Sequence, residues 1–379
     1  MAAPVFSVPP VAVPAEPSYK DSLPSFLSPI GSLMDRLQRA RDGLALPEPG
    51  KAEDLGREVK MTHLTNYTFD GARADLSKVL SQMPAFQVQH SFTAGAQGQM
   101  GPSPGTYSFG AVYATAQTFM QGNIDNEGGV TGRFNHAWSP ANLSKLSVQA
   151  SAATINQWPL GADPSSQSVF SYEQDRVGQD YTLSFKSINP SPTDFTGTYL
   201  ASYLQSLTPH LALGAEALYQ RPTPDLEDCS LGYMAKYHNV KKDEQGQPIK
   251  DSYIATAQIM PQGMWQATYW RKLAERVDAG VDLVVMPALD PRQRKAIATA
   301  GVKYEFRTST FRGQVDSEGK VSALLEQRLS PAFAFLVAGE MDHKLNKSKF
   351  GVGIMVESAS EEAMEAAQIA ATQPVVPPM

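Results

Sequence analysis

The side chains that could support catalysis or bind a metal are few and scattered in this chain. The six histidines never stand in pairs at metal-ligand spacing, and Cys229 is the only cysteine, which excludes an internal disulfide and a zinc site built from cysteines. No GxSxG, HExxH or P-loop motif occurs, so no activated nucleophile, zinc hydrolase site or phosphate cradle is indicated. The sequence predicts a protein that is not an enzyme and needs neither metal nor cofactor.

Carboxylates are the other groups that could act on a partner, and they follow a pattern. In the segments where polar and apolar residues alternate, ten acidic side chains fall on the polar face beside six basic ones. The acidic candidates are Asp125, Glu173, Asp175, Glu216, Asp278, Asp282, Asp316, Glu326, Glu340 and Asp342. The basic ones are Arg73, Lys186, Lys236, Lys303, Arg312 and Arg328. A wall with acidic patches attracts cations and holds a flexible basic peptide weakly at several places.

Composition narrows the classes of partner. The formal net charge is −6, only 18% of residues are charged, and no basic cluster stands out. Proteins that bind nucleic acid concentrate lysine and arginine on one surface. We therefore expect no nucleic-acid partner.

The elements that carry these charges are strands. Between residues 69 and 357 helical spacing is absent, and about nineteen segments of alternating apolar and polar residues follow one another, separated by Gly and Pro turn signals. Tyr181, Leu183 and Phe185, for example, alternate with Thr182 and Lys186. Without helices between strands a parallel βαβ architecture is excluded, so the pattern predicts an antiparallel, up-and-down sheet.

A sheet of this size must close or split. One open sheet of nineteen strands exceeds the usual limit of about ten and leaves long edges, whereas a closed barrel has a lumen lined by the polar faces. The apolar faces would then meet lipid, with aromatic side chains near the strand ends as an interfacial girdle. The girdle candidates are Tyr107, Trp138, Tyr199, Trp265, Tyr269 and Trp270. A soluble β-sandwich that binds or scaffolds other proteins stays open as an alternative.

The two ends of the chain differ from this region. Residues 1–27 read as a disordered Pro-rich arm, and residues 28–66 as a helical segment that precedes the barrel at 67–357. In that segment Ile30, Leu33, Met34 and Leu37 form an apolar stripe at helical spacing, and a shorter polar helix is predicted at 51–61. Residues 358–379 read as a solvated tail with a short helix.

The last strand-like segment, residues 349–356, adds a motif. A polar residue, Lys349, is followed two positions later by Gly351, and Ile354 and Val356 are hydrophobic residues separated by one. With the runs at 67–78, 121–126 and 188–191, this segment resembles a fungal channel subunit of the translocase of the outer mitochondrial membrane, over residues 55–356. In that family the pattern is an assembly signal that the sorting and assembly machinery reads.

The resemblance implies further properties of the chain. It implies a barrel of nineteen strands whose first and last strands pair in parallel, related to the voltage-dependent anion channels. It also implies that the polar helix at 51–61 enters the lumen, that the helix of Ile30, Leu33, Met34 and Leu37 binds a small subunit, and that both termini face the intermembrane space. The implied partners are precursor proteins with presequences, the central receptor, small single-span subunits and membrane lipid, in a complex with more than one barrel.

The sequence therefore predicts a passive channel for unfolded mitochondrial precursor proteins. A metabolite or anion channel is the alternative among pores, but acidic patches count against it because an anion pore favours a basic wall.

Overall fold

The computed structural model describes residues 46–65, 67–95, 97–98, 101–102, 105–151, 168–191, 194–241, 248–287, 294–330 and 332–359. The predicted helix at Ile30, Leu33, Met34 and Leu37 and most of the C-terminal tail lie outside these residues. Among the described residues no helix is both long and apolar enough to cross a membrane.

Nineteen strands form one sheet within the described residues. They are β1 Gly71–Gln82, β2 Ala85–Ala94, β3 Thr106–Ala114, β4 Thr118–Asp125, β5 Gly129–Ser139, β6 Asn142–Ser151, β7 Val169–Val177, β8 Tyr181–Ile188, β9 Gly197–Ser206, β10 Leu211–Thr223, β11 Leu226–Asn239, β12 Tyr253–Ile259, β13 Trp265–Ala274, β14 Val277–Met286, β15 Lys295–Glu305, β16 Ser309–Asp316, β17 Lys320–Ser330, β18 Phe333–Asp342 and β19 Lys347–Ala359. A separate two-residue hairpin, Gln97–Gly98 with Gly101–Pro102, lies between β2 and β3.

Each strand pairs with the next in antiparallel fashion, and the ring is closed by one parallel pair. β1 runs alongside β19 from Gly71 opposite Gly351 to Val79 opposite Ala359. The predicted barrel with parallel first and last strands is confirmed. A closed ring has no free edge, which a lone sheet of this size could not avoid.

Two short helical elements precede β1. A 3-10 turn spans Ala52–Asp54, and helix α1 spans Arg57–Thr62. Both lie inside the barrel, where Leu55, Val59 and Leu64 are buried against the wall. We call the wall surface that these residues contact the inner face, and residues 46–65 the lumen segment.

Every second strand residue points away from the lumen segment. These outward side chains are mostly apolar and form the outer face. Leu231 on β11 and Phe350 on β19 are 60% and 63% exposed there. Aromatic rings on neighbouring strands follow one another on this face, as in Tyr199 with Tyr219, and Tyr253 with Tyr269. This surface matches the lipid-facing band of a membrane barrel.

One of the predicted girdle residues is wrong. Trp138, 71% exposed, lies on the outer face, but Trp270 is only 6% exposed and packs inside the barrel against Val59 and Ile254. Neighbouring strand residues point to opposite faces. Because Tyr269 faces outward, Trp270 has to face the lumen.

Candidate functional site

The lumen is the part of the molecule where a partner could pass, and the lumen segment occupies one side of it. The segment begins at what we call the near end of the barrel, where Ser206 at the end of β9 donates a hydrogen bond to the Pro47 carbonyl at 2.7 Å. Lys236 Nζ donates to the Pro49 carbonyl at 2.9 Å. β19 runs in the same direction as β9, so the described chain also ends at the near end.

Three apolar anchors fix the lumen segment to the wall. They are Leu55 with Leu204, Ala212 and Met234; Val59 with Ile254 and Trp270; and Leu64 with Leu324 and Ala338. Burying a side chain of this size stabilises a protein by about 1.5–3 kcal/mol. Since the anchors contact β9 to β13 and then β17 and β18, the segment covers that part of the inner face.

Close backbone approach and polar contacts complete the docking. A Cβ at Gly301 would collide with the His63 ring, so only glycine leaves room there. His63 Nε2 donates to the Gly280 carbonyl at 3.2 Å, and the Leu64 backbone N–H donates to Gln314 Oε1 at 2.7 Å. The lumen segment is therefore held by β14 to β16 as well.

A cluster of six alternating charges joins the lumen segment to β6, β7 and β8, and we call it the charge cluster. Its members are Lys51, Glu53, Lys145, Glu173, Asp175 and Lys186. Lys51 Nζ lies 2.6 Å from Asp175 Oδ2, Lys186 Nζ lies 2.7 Å from Glu53 Oε1, and Lys145 contacts Glu173 and Asp175. Three cations balance three anions, so this region presents little net charge to the lumen.

The charge of Glu53 depends on these contacts. Burial by itself raises the pKa of its carboxyl, but the hydrogen bond from Lys186 and the attraction of Lys186 and Lys145 outweigh burial and lower the pKa below its ordinary value. Glu53 is therefore ionised at neutral pH.

The strand register places all ten predicted acids on the inner face, although most already have protein partners. Glu173 and Asp175 belong to the charge cluster. Asp278 lies 3.6 Å from Lys272 Nζ. Two further ion pairs of 3.7 Å join Glu326 to Arg328 and Glu340 to Lys349.

Three other acids support turns at the far end of the barrel. The carboxylate of Asp125 accepts the backbone N–H groups of Glu127 and Gly129, and Asp316 accepts that of Glu318. Asp342 accepts those of Lys344 and Leu345. Aspartate commonly stabilises turns by such bonds, so these carboxylates serve the strand connections.

Two acids remain more open to a partner. Asp282 accepts hydrogen bonds only from an uncharged side chain, the amide of Gln266, whose Nε2 lies 3.0 and 3.1 Å from the two carboxylate oxygens. Glu216 forms no ion pair with any other described residue. The structure therefore separates the predicted acids into paired, turn-forming and available groups.

The predicted basic residues lie on the inner face too. Lys186 belongs to the charge cluster, Lys236 holds Pro49, and Lys303 pairs with Glu305. Arg312 lies over the Tyr67 ring, 4.3 Å from its centroid, and Arg73 pairs with Asp75 at 2.7 Å. Most of these cations thus position the chain or neutralise an acid.

Sequence reasoning missed several charged lumen residues. Asp75 shares the parity of Arg73 on β1, and Glu305 shares that of Lys303 on β15, so consistent alternation would have found both. Lys145 shares the parity of the polar Ser147 on β6. Lys51 and Glu53 precede the strands, and no local pattern links them to a wall more than a hundred positions away.

The predicted assembly signal lies on β19. Lys349 and Gly351 are on the inner face, and Ile354 and Val356 are on the outer face, where Ile354 is exposed. A Cβ at Gly351 would collide with the Phe69 carbonyl and lie 2.8 Å from its ring. Whether the segment is read during assembly stays a prediction, but Gly351 has a packing role of its own.

Comparison with known proteins identifies a family and several relatives whose sequences are similar to this chain. The profile of the eukaryotic porin family matches residues 48–351. The mitochondrial import receptor subunit tom40 of Neurospora crassa is 36% identical over 350 residues, 89% of this chain and 91% of that protein. The corresponding subunit of Saccharomyces cerevisiae is 36% identical over 369 residues, 91% and 89% of the two chains. The human homologue is 26% identical over 364 residues, 93% and 90% of the two chains. The chain therefore belongs to the eukaryotic porin family, among the mitochondrial import receptor subunits of the Tom40 type.

Proposed function

We propose that this protein is the channel through which unfolded mitochondrial precursor proteins cross the outer mitochondrial membrane. The observation that carries the proposal is a closed nineteen-stranded barrel, apolar outside and polar inside, whose lumen segment covers only part of the inner face. Relatives named mitochondrial import receptor subunits, similar along nearly the whole chain, support it. The channel holds and releases polypeptide without catalysing a reaction.

Basic presequences would be held by the available acids. Glu216 and Asp282 can attract a passing cation without first losing a protein cation, unlike Glu173 and Asp175. Weak contacts at several points favour passage, since tight binding at one point would stop it.

Both described ends of the chain lie at the near end of the barrel, and we propose that this end faces the intermembrane space. The central receptor and the small single-span subunits would contact the outer face and the residues before 46, in a complex with more than one barrel. The sorting and assembly machinery would bind Lys349, Gly351, Ile354 and Val356 while β19 still has a free edge, before it pairs with β1.

Membrane insertion is tested by alkaline carbonate extraction of mitochondria. A barrel with an apolar outer face stays in the membrane pellet. Recovery of the protein wholly in the supernatant would contradict the membrane assignment and favour a soluble sandwich.

Channel type is tested in planar bilayers with the purified protein. We expect a large, cation-preferring conductance that is interrupted by a basic presequence peptide added to one side. A peptide of the same composition in scrambled order, which loses amphipathicity but keeps its charge, is the control. An uninterrupted conductance with anion preference would identify a metabolite channel instead.

A further inference from the structure

The closed ring is uneven at its far end, where β11 continues beyond the end of its neighbour β12. The pairing of these two strands stops at Tyr233 with Ile259, and the chain then turns through residues 260–264 into β13. Because β11 begins at Leu226, roughly 20 Å of this strand projects past the turn. On its other side β11 stays paired with β10. One side of the projecting part is therefore open.

The backbone groups on this open side belong to Glu227 and Cys229. The backbone N–H of His238 donates to the His210 carbonyl at 2.8 Å, which places the backbone groups of His238 on the β10 side. Since these groups alternate between the two sides of a strand, those of Glu227 and Cys229 point away from β10. No residue of the described turn 260–264 forms a backbone hydrogen bond with them. We call residues 226–231 the open edge, because unpaired N–H and C=O groups are a template for another strand.

The open edge lies on the water side of the far end. Tyr233, Ile259 and Trp265 form an outward row across β11, β12 and β13, and Tyr233 and Trp265 are 60% and 55% exposed. Exposed aromatic side chains at the strand ends of a membrane barrel mark the interface with water. Since the open edge begins beyond this row, its backbone groups are accessible to a polypeptide in solution.

Three acidic side chains surround the open edge. Asp225, Glu227 and Asp228 are all exposed, and among the described residues none of the three forms an ion pair; Glu227 accepts a hydrogen bond from the Tyr219 hydroxyl at 2.8 Å. Like charges on the same edge repel a second copy of this chain, whereas they attract a positively charged one. The charges therefore favour a basic polypeptide as the occupant.

We propose that the open edge is a docking site for an extended, positively charged segment of an incoming precursor, which adds to β11 as a further strand before it enters the lumen. The proposal rests on the proposed function, in which the near end faces the intermembrane space and the far end faces the cytosol. Main-chain hydrogen bonds accept any sequence, and the carboxylates select a basic one. A few bonds that replace bonds to water contribute little each, so the segment can leave again.

The test measures binding of a fluorescent probe to the full-length protein in phosphatidylcholine nanodiscs. The probe is a short peptide of alternating lysine and valine. One matched probe carries N-methyl groups on four consecutive residues, which blocks hydrogen bonding along both sides of the peptide but keeps its charge. The other replaces lysine by glutamine, which keeps the backbone and removes the charge. We expect each matched probe to bind about tenfold more weakly than the first.

Substitutions at Cys229 locate the binding at the open edge, because the acids of the lumen can also attract a basic probe. Cys229→Pro removes an N–H that points away from β10, so the hydrogen bonds within the hairpin stay intact, and its ring hinders a strand placed alongside. The matched control Cys229→Ser keeps that N–H. Proline should weaken binding of the lysine probe about tenfold, and serine should leave it unchanged. Equal binding by the two variants would overturn the proposal.

The occupant is tested by combining Asp225→Asn with Asp228→Asn. This double variant should bind the lysine probe almost as weakly as the wild type binds the glutamine probe. Unchanged affinity, or tight binding of the glutamine probe to the wild type, would refute a charge-selected occupant.

The remaining outcomes separate strand addition from the channel function. Equal binding of the methylated and unmethylated probes would rule out strand addition, and this comparison leaves the protein unaltered, so it decides the question even if Cys229→Pro does not fold. If a basic presequence peptide fails to interrupt the conductance in bilayers, the proposed function itself fails. If that peptide interrupts the conductance but Cys229→Pro binds the lysine probe as the wild type does, only the open edge fails.

Discussion

The docking of the lumen segment depends on Leu64, and its loss has a calculable effect. Leu64 is fully buried between Leu324 and Ala338. Replacing a buried leucine by alanine costs about 2–5 kcal/mol, through lost burial and the cavity left behind. If this cost falls on docking alone, Leu64→Ala raises the undocked population between about thirty-fold and a few thousand-fold, since about 1.4 kcal/mol is a factor of ten.

The assay is the modification rate of a cysteine placed at Thr62, which is 1% exposed when the segment is docked. Cys229, the chain's only cysteine, is first replaced by serine. When docking equilibrates faster than a small maleimide reacts, the rate rises in proportion to the undocked population. Leu64→Ala should therefore speed modification by the factor given above.

The matched control is Leu231→Ala, the same chemical change at a 60% exposed position on the outer face. It should leave the modification rate unchanged. If the cysteine at position 62 is modified no faster in Leu64→Ala than in this control while the barrel remains folded, the apolar anchor at Leu64 does not hold the lumen segment. The charge cluster must then be sufficient to dock it.

Three further predictions concern the charge cluster, the available acids and the assembly segment. The pKa of Glu53 is lowered in the folded protein, so its carboxylate stabilises docking above the unfolded pKa of about 4.3, and this contribution is lost as pH falls through the folded value. Glu53→Gln should therefore remove part of the acid dependence of docking. Docking is measured as the distance between spin labels attached to Cys229 and to a cysteine introduced by Lys60→Cys. Asp282→Lys should lower the cation preference in reversal-potential measurements, whereas Asp282→Asn should lower it less, and a selectivity equal to wild type in both would mean that ions do not sense this carboxylate. Gly351→Ala should destabilise the barrel refolded in detergent by about 1–3 kcal/mol, through overpacking against Phe69. Ile354→Gln should leave the stability of the refolded barrel in detergent nearly unchanged but block its assembly in mitochondria. Normal assembly of this variant would contradict the signal role of Ile354.

The assembly segment shows why these two effects need separate variants. Gly351 combines a predicted signal position with a contact to Phe69, so its substitution changes both. Ile354 faces outward and is exposed, so its substitution in detergent disturbs little packing. Only the difference between the two variants isolates recognition by the assembly machinery.

The pairing of charges was the part of the site that sequence could not supply. Glu173 and Asp175 belonged to a predicted acidic patch, yet Lys51 lies 2.6 Å from Asp175 across 124 sequence positions. No periodicity connects residues so far apart, because their contact depends on where the lumen segment enters the barrel. By contrast, the turn roles of Asp125 and Asp316 had a local signal, since a glycine follows each aspartate three positions later.

The sequence by itself determined that this chain forms about nineteen antiparallel strands, because a period of two fixes the face of every strand residue and the turn signals count the strands. The tertiary structure decided that these strands close into a barrel, through the parallel pairing of β1 with β19. The sequence also determined which acids face inward. Only the tertiary structure decided which of them are available, because the inward position of a carboxylate is a local property, whereas its partners come from other strands and from the lumen segment. Likewise, alternation gives the inward face of Trp270, but only the tertiary structure shows that it packs against Val59 of the lumen segment.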